Sequence, residues 1–211
     1  METEQDHLKT LTEIRNLMEK SSRFISLSGL SGVFAGFFAL IGALCAFLYL
    51  EMSILSDEYY QNAIIGNRLN IDFILFFFID GLIVLFLAIT FGILFTVRNS
   101  RKKGVPIWGV SARLTIINLF IPLVAGGLFC FILLYHHIIY LIAPATLVFY
   151  GLALVNASKY TFKEIRYLGM AEILIGLIAC ICIGYGLLFW ALGFGVLHII
   201  YGTVMFSQYE R

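Results

Sequence analysis

Four ionisable side chains stand inside, or at the edge of, long apolar runs: Asp80, Arg113, Glu172 and His198, with Asn118 and Asn156 as neutral companions. A charge at the centre of a membrane helix costs about 2.5 to 3.5 kcal/mol on translocon scales, so each such residue is a candidate site. Glu172 follows Gly169 by three residues and precedes Gly176 by four, with Ala179 beyond. His198 repeats this between Gly195 and Gly202, with Ala191 in the other direction. Small residues at helical spacing admit a neighbouring backbone, so both polar groups should face protein and not lipid. If the chain reverses about Tyr185, positions 172 and 198 lie equally far from the turn and share a depth. The spacing predicts a contact between a carboxylate and an imidazole, with Arg113 joining at similar depth. Such a pair either binds and relays a proton or clamps the register of two helices.

Asp80 differs. Its neighbours three and four positions away, Phe76, Phe77, Ile83 and Val84, are large and apolar. It needs a partner from another helix or a wet cavity, which makes it a candidate for ion or proton coupling. A reversal about His136 and His137 sets Asn118 opposite Asn156, and predicts an amide hydrogen bond between helices.

Other chemistry finds little support. There is no HExxH, no GxSxG, no GxxxxGK[ST], and no set of acids spaced for two metal ions. Cys45, Cys130, Cys180 and Cys182 sit singly in apolar runs without paired CxxC units, and His136 and His137 read as surface residues. No catalytic residue, metal or cofactor is expected. Nor is nucleic acid a partner, because a net charge of +1 provides no basic surface.

The elements that must position these residues are membrane helices. Of 211 residues, 61% are hydrophobic and 13% charged, and the mean hydropathy of +0.95 calls for lipid as solvent. About 20 apolar residues cross about 30 Å of hydrocarbon as a helix. Six runs qualify, at 24–50, 71–97, 114–135, 138–157, 168–183 and 187–206. They are continuous and lack the period-two alternation of a β-barrel. The reading is an all-α polytopic protein: residues 1–23 as a cytosolic amphipathic helix and 24–211 as a six-helix transmembrane domain. The amphipathic helix rests on Leu8, Leu11, Ile14 and Leu17 or Met18, and no cleaved leader is expected.

Lys and Arg in short loops resist translocation. With six spans, 13 of the 14 basic residues fall on one side and only Arg68 on the other, which predicts cytosolic N and C termini. In the first span, Ser28, Gly32 and Gly36 form one ridge of small residues, and Ser31, Ala35, Ala39 and Ala43 another. Such ridges let backbones approach, so this span should lie inside the bundle or against a second copy or partner subunit. The paired letters Gly109 and Gly169, and Tyr150-Gly151 and Tyr201-Gly202, suggest a degenerate parallel repeat.

The segment GMAEILIGLIACICIGYGLLFWALGFGVLHIIYGTVMF, residues 169–206, resembles the Gly-punctuated hairpin of small bacterial membrane proteins in the HdeD acid-resistance class, and also other multi-pass proteins of Bacteroidota-type bacteria. It carries Gly184, Tyr185 and Gly186 where that hairpin usually has Pro. The resemblance implies a non-enzymatic inner-membrane protein linked to stress or envelope homeostasis. Two functions follow as expectations: a non-catalytic membrane subunit or envelope protein, or a small proton- or ion-coupled transporter or channel using Asp80 and the Glu172 and His198 pair.

Overall fold

The computed structural model describes residues 27–51, 59–65 and 68–210, and the amphipathic helix expected over 1–23 lies outside them. The described chain is helical apart from one two-stranded antiparallel hairpin, in which Ile64 pairs with Leu69 and Ile65 with Arg68. Its α-helices are α1 (Gly29–Tyr49), α2 (Ile71–Lys103), α3 (Val110–Tyr135), α4 (Ile142–Ala157), α5 (Lys163–Ile181), α6 (Gly186–Trp190) and α7 (His198–Tyr209). A π-helical stretch, Ala191–Leu197, joins α6 to α7 into one continuous rod.

Five helices are long and apolar enough to cross a membrane: Gly29–Tyr49, Ile71–Lys103, Val110–Tyr135, Ile139–Tyr160 and the last rod, Gly186–Tyr209. The sequence reading expects six. The exception is α5, which begins five residues earlier than the apolar run and so takes in Lys163, Glu164 and Arg166 besides Glu172. A 19-residue helix is about 28 Å long at about 1.5 Å per residue, close to the hydrocarbon thickness, but its first turn is charged.

Local chemistry sets the ends of α2. The side chain of Asn70 accepts from Phe73 N, Asp72 stands in the first turn, and Arg101, Lys102 and Lys103 stand in the last, each complementing the helix dipole. Gly104 stops the helix at φ 64°, a left-handed conformation suited to glycine. With 33 residues, α2 spans about 50 Å, so its basic last turns extend past a layer of about 30 Å.

The helices pack in the order α2, α1, last rod, then α5 and α4, with α3 outermost against α4. Burial follows that order. Only 6% of the apolar window of α2 and 11% of that of α3 is buried, against 28% for α1 and for the last rod and 39% for Ile139–Tyr160. Bulky residues such as Phe78, Phe86, Ile93, Phe120 and Phe131 therefore project outward.

The two ends of the bundle differ in chemistry. At one, Asn99 Nδ2 donates to Leu27 O at 3.1 Å, Ser28 Oγ to Glu210 Oε2 at 2.9 Å, and Tyr209 OH to Glu164 Oε1 at 3.0 Å. Glu210 also accepts from the Gly29 backbone, closing the first helix onto the last. The connections 104–109 and 158–162 belong to this end. The opposite end is held by an apolar cluster of Ala46, Leu50, Ala63, Phe73, Ile139 and Leu187. Among the described residues, the first and the last, Leu27 and Glu210, and every basic residue except Arg68 gather at the first end.

Candidate functional site

The small-residue stripes bring the helices close enough to deliver their polar groups. A methyl at Gly169 would lie 2.7 Å from Gly151 O, and one at Gly151 would lie 2.6 Å from Gly169 O, so α4 and α5 meet backbone to backbone. Tyr150, beside Gly151, is carried into the same seam. A methyl at Gly202 would lie 2.5 Å from Val33 N, and one at Gly36 would lie 2.5 Å from Gly195 O. The ridge of Ser28, Gly32 and Gly36 is thus covered by the last rod of the same chain. Gly176 faces Leu147 and Val148 of α4. The stripes around Glu172 and His198 therefore face α4 and α1, and not each other as a simple hairpin would require.

Glu172 and His198 meet nonetheless. Glu172 is fully buried at 0% exposure and His198 at 6%, and His198 Nδ1 lies 3.3 Å from Glu172 Oε1. The same Nδ1 lies 3.1 Å from Gly193 O, five residues back along the π stretch. Tyr150 OH lies 2.9 Å from Nε2. A carbonyl oxygen can only accept, so Nδ1 carries a proton and donates it to Gly193; Nε2 accepts from the Tyr150 hydroxyl when the ring is neutral and donates to it when the ring is protonated. Both ring nitrogens are committed. Neither oxygen of Glu172 has a hydrogen-bond partner among the described residues.

Gly193 is what makes room for the carboxyl. A methyl there would lie 2.5 Å from Glu172 Oε2. The π stretch widens the helix at this point, a distortion that frequently accompanies functional sites. A clamp of mutually satisfied polar groups would place a straight donor on Glu172. Here the imidazole proton is directed to a backbone carbonyl instead, and the acid is left with an ionisable neighbour and no bond.

The remaining expected residues fall elsewhere. Arg113 is exposed on α3 and does not join Glu172 and His198, because equal depth does not fix the direction in which a helix presents a side chain. Asp80 is half-buried on α2 against α1, where a methyl at Gly42 would lie 3.2 Å from its Oδ2. The small partner residue missing on its own helix is supplied by the neighbour. Asp80 has no hydrogen bond among the described residues, and α1 separates it from Glu172.

Asn118 and Asn156 are brought together, but the bond is to main chain: Asn156 Nδ2 donates to Asn118 O at 2.9 Å, and Asn118 Nδ2 turns to Leu114 O of its own helix. Pro122 explains this. It has no N–H to offer the carbonyl four residues earlier, and Asn156 supplies the missing donor. Lys159 Nζ in turn reaches Asn156 Oδ1 at 3.1 Å. Gly109 stands at the N-cap of α3 with open space around it, whereas Gly169 is packed in mid-helix, so these two letters of the suggested repeat do not occupy equivalent places.

Tyr150, Gly193 and Glu164 are absent from the set that the sequence nominates. Tyr150 reads as part of a Tyr-Gly pair, but its role depends on which helices pack against α4. Glu164, flanked by Lys163 and Arg166, reads as part of a polar connection, yet it is buried at 7% exposure with Oε2 unpartnered. No family model, curated protein or solved structure matches the chain.

Proposed function

We propose that this chain is an integral protein of the inner (plasma) membrane, crossing it with six helices and holding both termini in the cytosol. Its working element in this reading is a proton-binding core made of Glu172, His198 and Tyr150, with no catalytic centre and no cofactor. One observation carries it: Glu172 is completely buried, lies 3.3 Å from an imidazole, and has no hydrogen-bond donor on either oxygen among the described residues. Burying a carboxyl group without a partner is costly, and a proton is the smallest species that answers such a group. Its uptake would let Glu172 donate to a neighbour, and its release would let the imidazole proton swing from Gly193 O to Oε1. Those are two hydrogen-bonding states of one core, the bistable element that proton coupling requires.

The membrane orientation rests on the gathering of basic residues at one end of the bundle, and the lipid contact on the apolar faces of α2 and α3. The sixth crossing is assigned to α5, whose charged first turn would stand at the cytosolic interface with Lys163 and Arg166 exposed. The resemblance of 169–206 to the HdeD class agrees with an envelope or stress setting.

A second reading, a static membrane subunit that works through helix contacts, is favoured by the glycine seam between α1 and the last rod. Infrared titration in lipid nanodiscs separates the two. In the proton-binding reading, a carboxyl band that changes with pH disappears in Glu172→Gln while the helix content stays the same. A titration identical in wild type and a folded Glu172→Gln leaves only the static reading.

A further inference from the structure

Among the described residues, the buried side-chain oxygens and nitrogens without a hydrogen bond are three: Oε1 and Oε2 of Glu172, and Oε2 of Glu164. All three belong to α5. Glu164, Leu168 and Glu172 recur at intervals of four, so they share one face of the helix, and the two acids are about 12 Å apart along the helix axis at about 1.5 Å per residue. Each acid has an ionisable neighbour on α7: Tyr209 OH donates to Glu164 Oε1 at 3.0 Å, and His198 Nδ1 lies 3.3 Å from Glu172 Oε1. Glu164 stands in the first turn of α5, at the basic end of the bundle, beside the exposed Lys163 and Arg166.

Between the two acids the seam is apolar. Leu168, Leu154 and Met205 are buried in one cluster, against which Tyr201 and Tyr209 of α7 and Tyr150 of α4 pack. Among the described residues, the titratable groups that neighbouring elements bring to this seam are His198 beside Glu172, Tyr209 on Glu164, and Tyr201 of α7 and Tyr150 of α4 against the apolar cluster.

We infer that Glu164 is the port through which the buried core exchanges its proton with the basic end, and that Leu168 is the barrier between port and core. This rests on the proton-binding reading of Glu172. The step is a proton transfer only: an O–H bond breaks on the Glu164 carboxyl and one forms on Glu172, leaving the first as carboxylate and the second neutral. About 12 Å is too far for a direct hydrogen bond, so water entering past Leu168 carries the proton. Exchange is accordingly slow until that side chain moves. Asp80, on the far side of α1, takes no part.

The test is a pH jump on wild-type protein in nanodiscs, where both faces meet the same buffer, followed through the infrared carboxyl band assigned to Glu172 by its loss in Glu172→Gln. Glu164→Gln keeps an oxygen for Tyr209 and should slow the response of that band by about tenfold or more, since a positioned proton-transfer group typically contributes at least that much. Its equilibrium amplitude should stay unchanged. Leu168→Ala should speed the response, and in Glu164→Gln it should restore part of the lost rate. A band that responds at the wild-type rate in a folded Glu164→Gln overturns the port while leaving the core intact. A wild-type spectrum with no band assignable to Glu172 removes the core and the port together.

Discussion

Two acids stand in long helices of the bundle and have opposite surroundings. Asp80 belongs to α2, the outer helix whose apolar window is 6% buried, and it rests half-exposed in a notch made by Gly42 of α1. Glu172 belongs to α5, the least apolar of the long helices, and it is sealed between α4 and the last rod. An ionisable group in a membrane protein is defined less by the hydropathy of its own helix than by that helix's place in the bundle. A helix walled by protein can carry an acid at full burial, and a helix facing lipid cannot.

The comparison can be broken or sharpened by substitution, and the largest effect should come from the seams. Gly202→Val would force its side chain onto the backbone of Gly29 and Val33, whereas Gly81→Val on α2 meets nothing within 4 Å. Thermal unfolding in detergent should show Gly202→Val destabilised by about 3 kcal/mol or more and Gly81→Val changed by less than about 1 kcal/mol. Similar losses in the two variants would show that the outer and inner regions are packed alike.

Glu172→Met comes next. Replacing an unsatisfied buried acid with an apolar residue of similar length should leave stability unchanged or raise it by about 1 to 3 kcal/mol. A loss of more than about 1 kcal/mol would mean that Glu172 makes a stabilising bond after all, as in the static clamp. Asn156→Ala removes the donor from the carbonyl that Pro122 leaves free, at a cost of about 0.6 to 2 kcal/mol. Combined with Pro122→Ala, which returns an N–H to the helix, most of that cost should vanish. Asp80→Asn should be the mildest change, within about 0.5 kcal/mol in stability, and should leave proton flux into proteoliposomes unaltered. A flux lost in Asp80→Asn would move the working site from the Glu172 core to the contact between α1 and α2.

Much of this could be read before any coordinates. The periodic small residues around positions 172 and 198 signalled two groups directed at protein, and their equal distance from Tyr185 placed them at one depth. The sorting of basic residues to one end follows from the alternation of charged and apolar segments. What could not be read was azimuth. Gly169 and Gly176 face α4 while Gly195 and Gly202 face α1, because six rods close into a bundle whose neighbours are not fixed by chain order. That choice brings Tyr150 to His198 and leaves Arg113 outside. The π stretch is equally hidden, since Ala191–Leu197 reads as ordinary apolar helix. Glu164 is not legible as a site residue, because polar neighbours on both sides make the first turn of α5 read as a loop.

Potentiometric titration tests the central claim most directly. Reconstituted wild-type protein and Glu172→Gln are taken through the same acid range, and the protons bound per chain are counted. The account predicts that the variant binds one fewer, with its helices intact. Equal counts would contradict it.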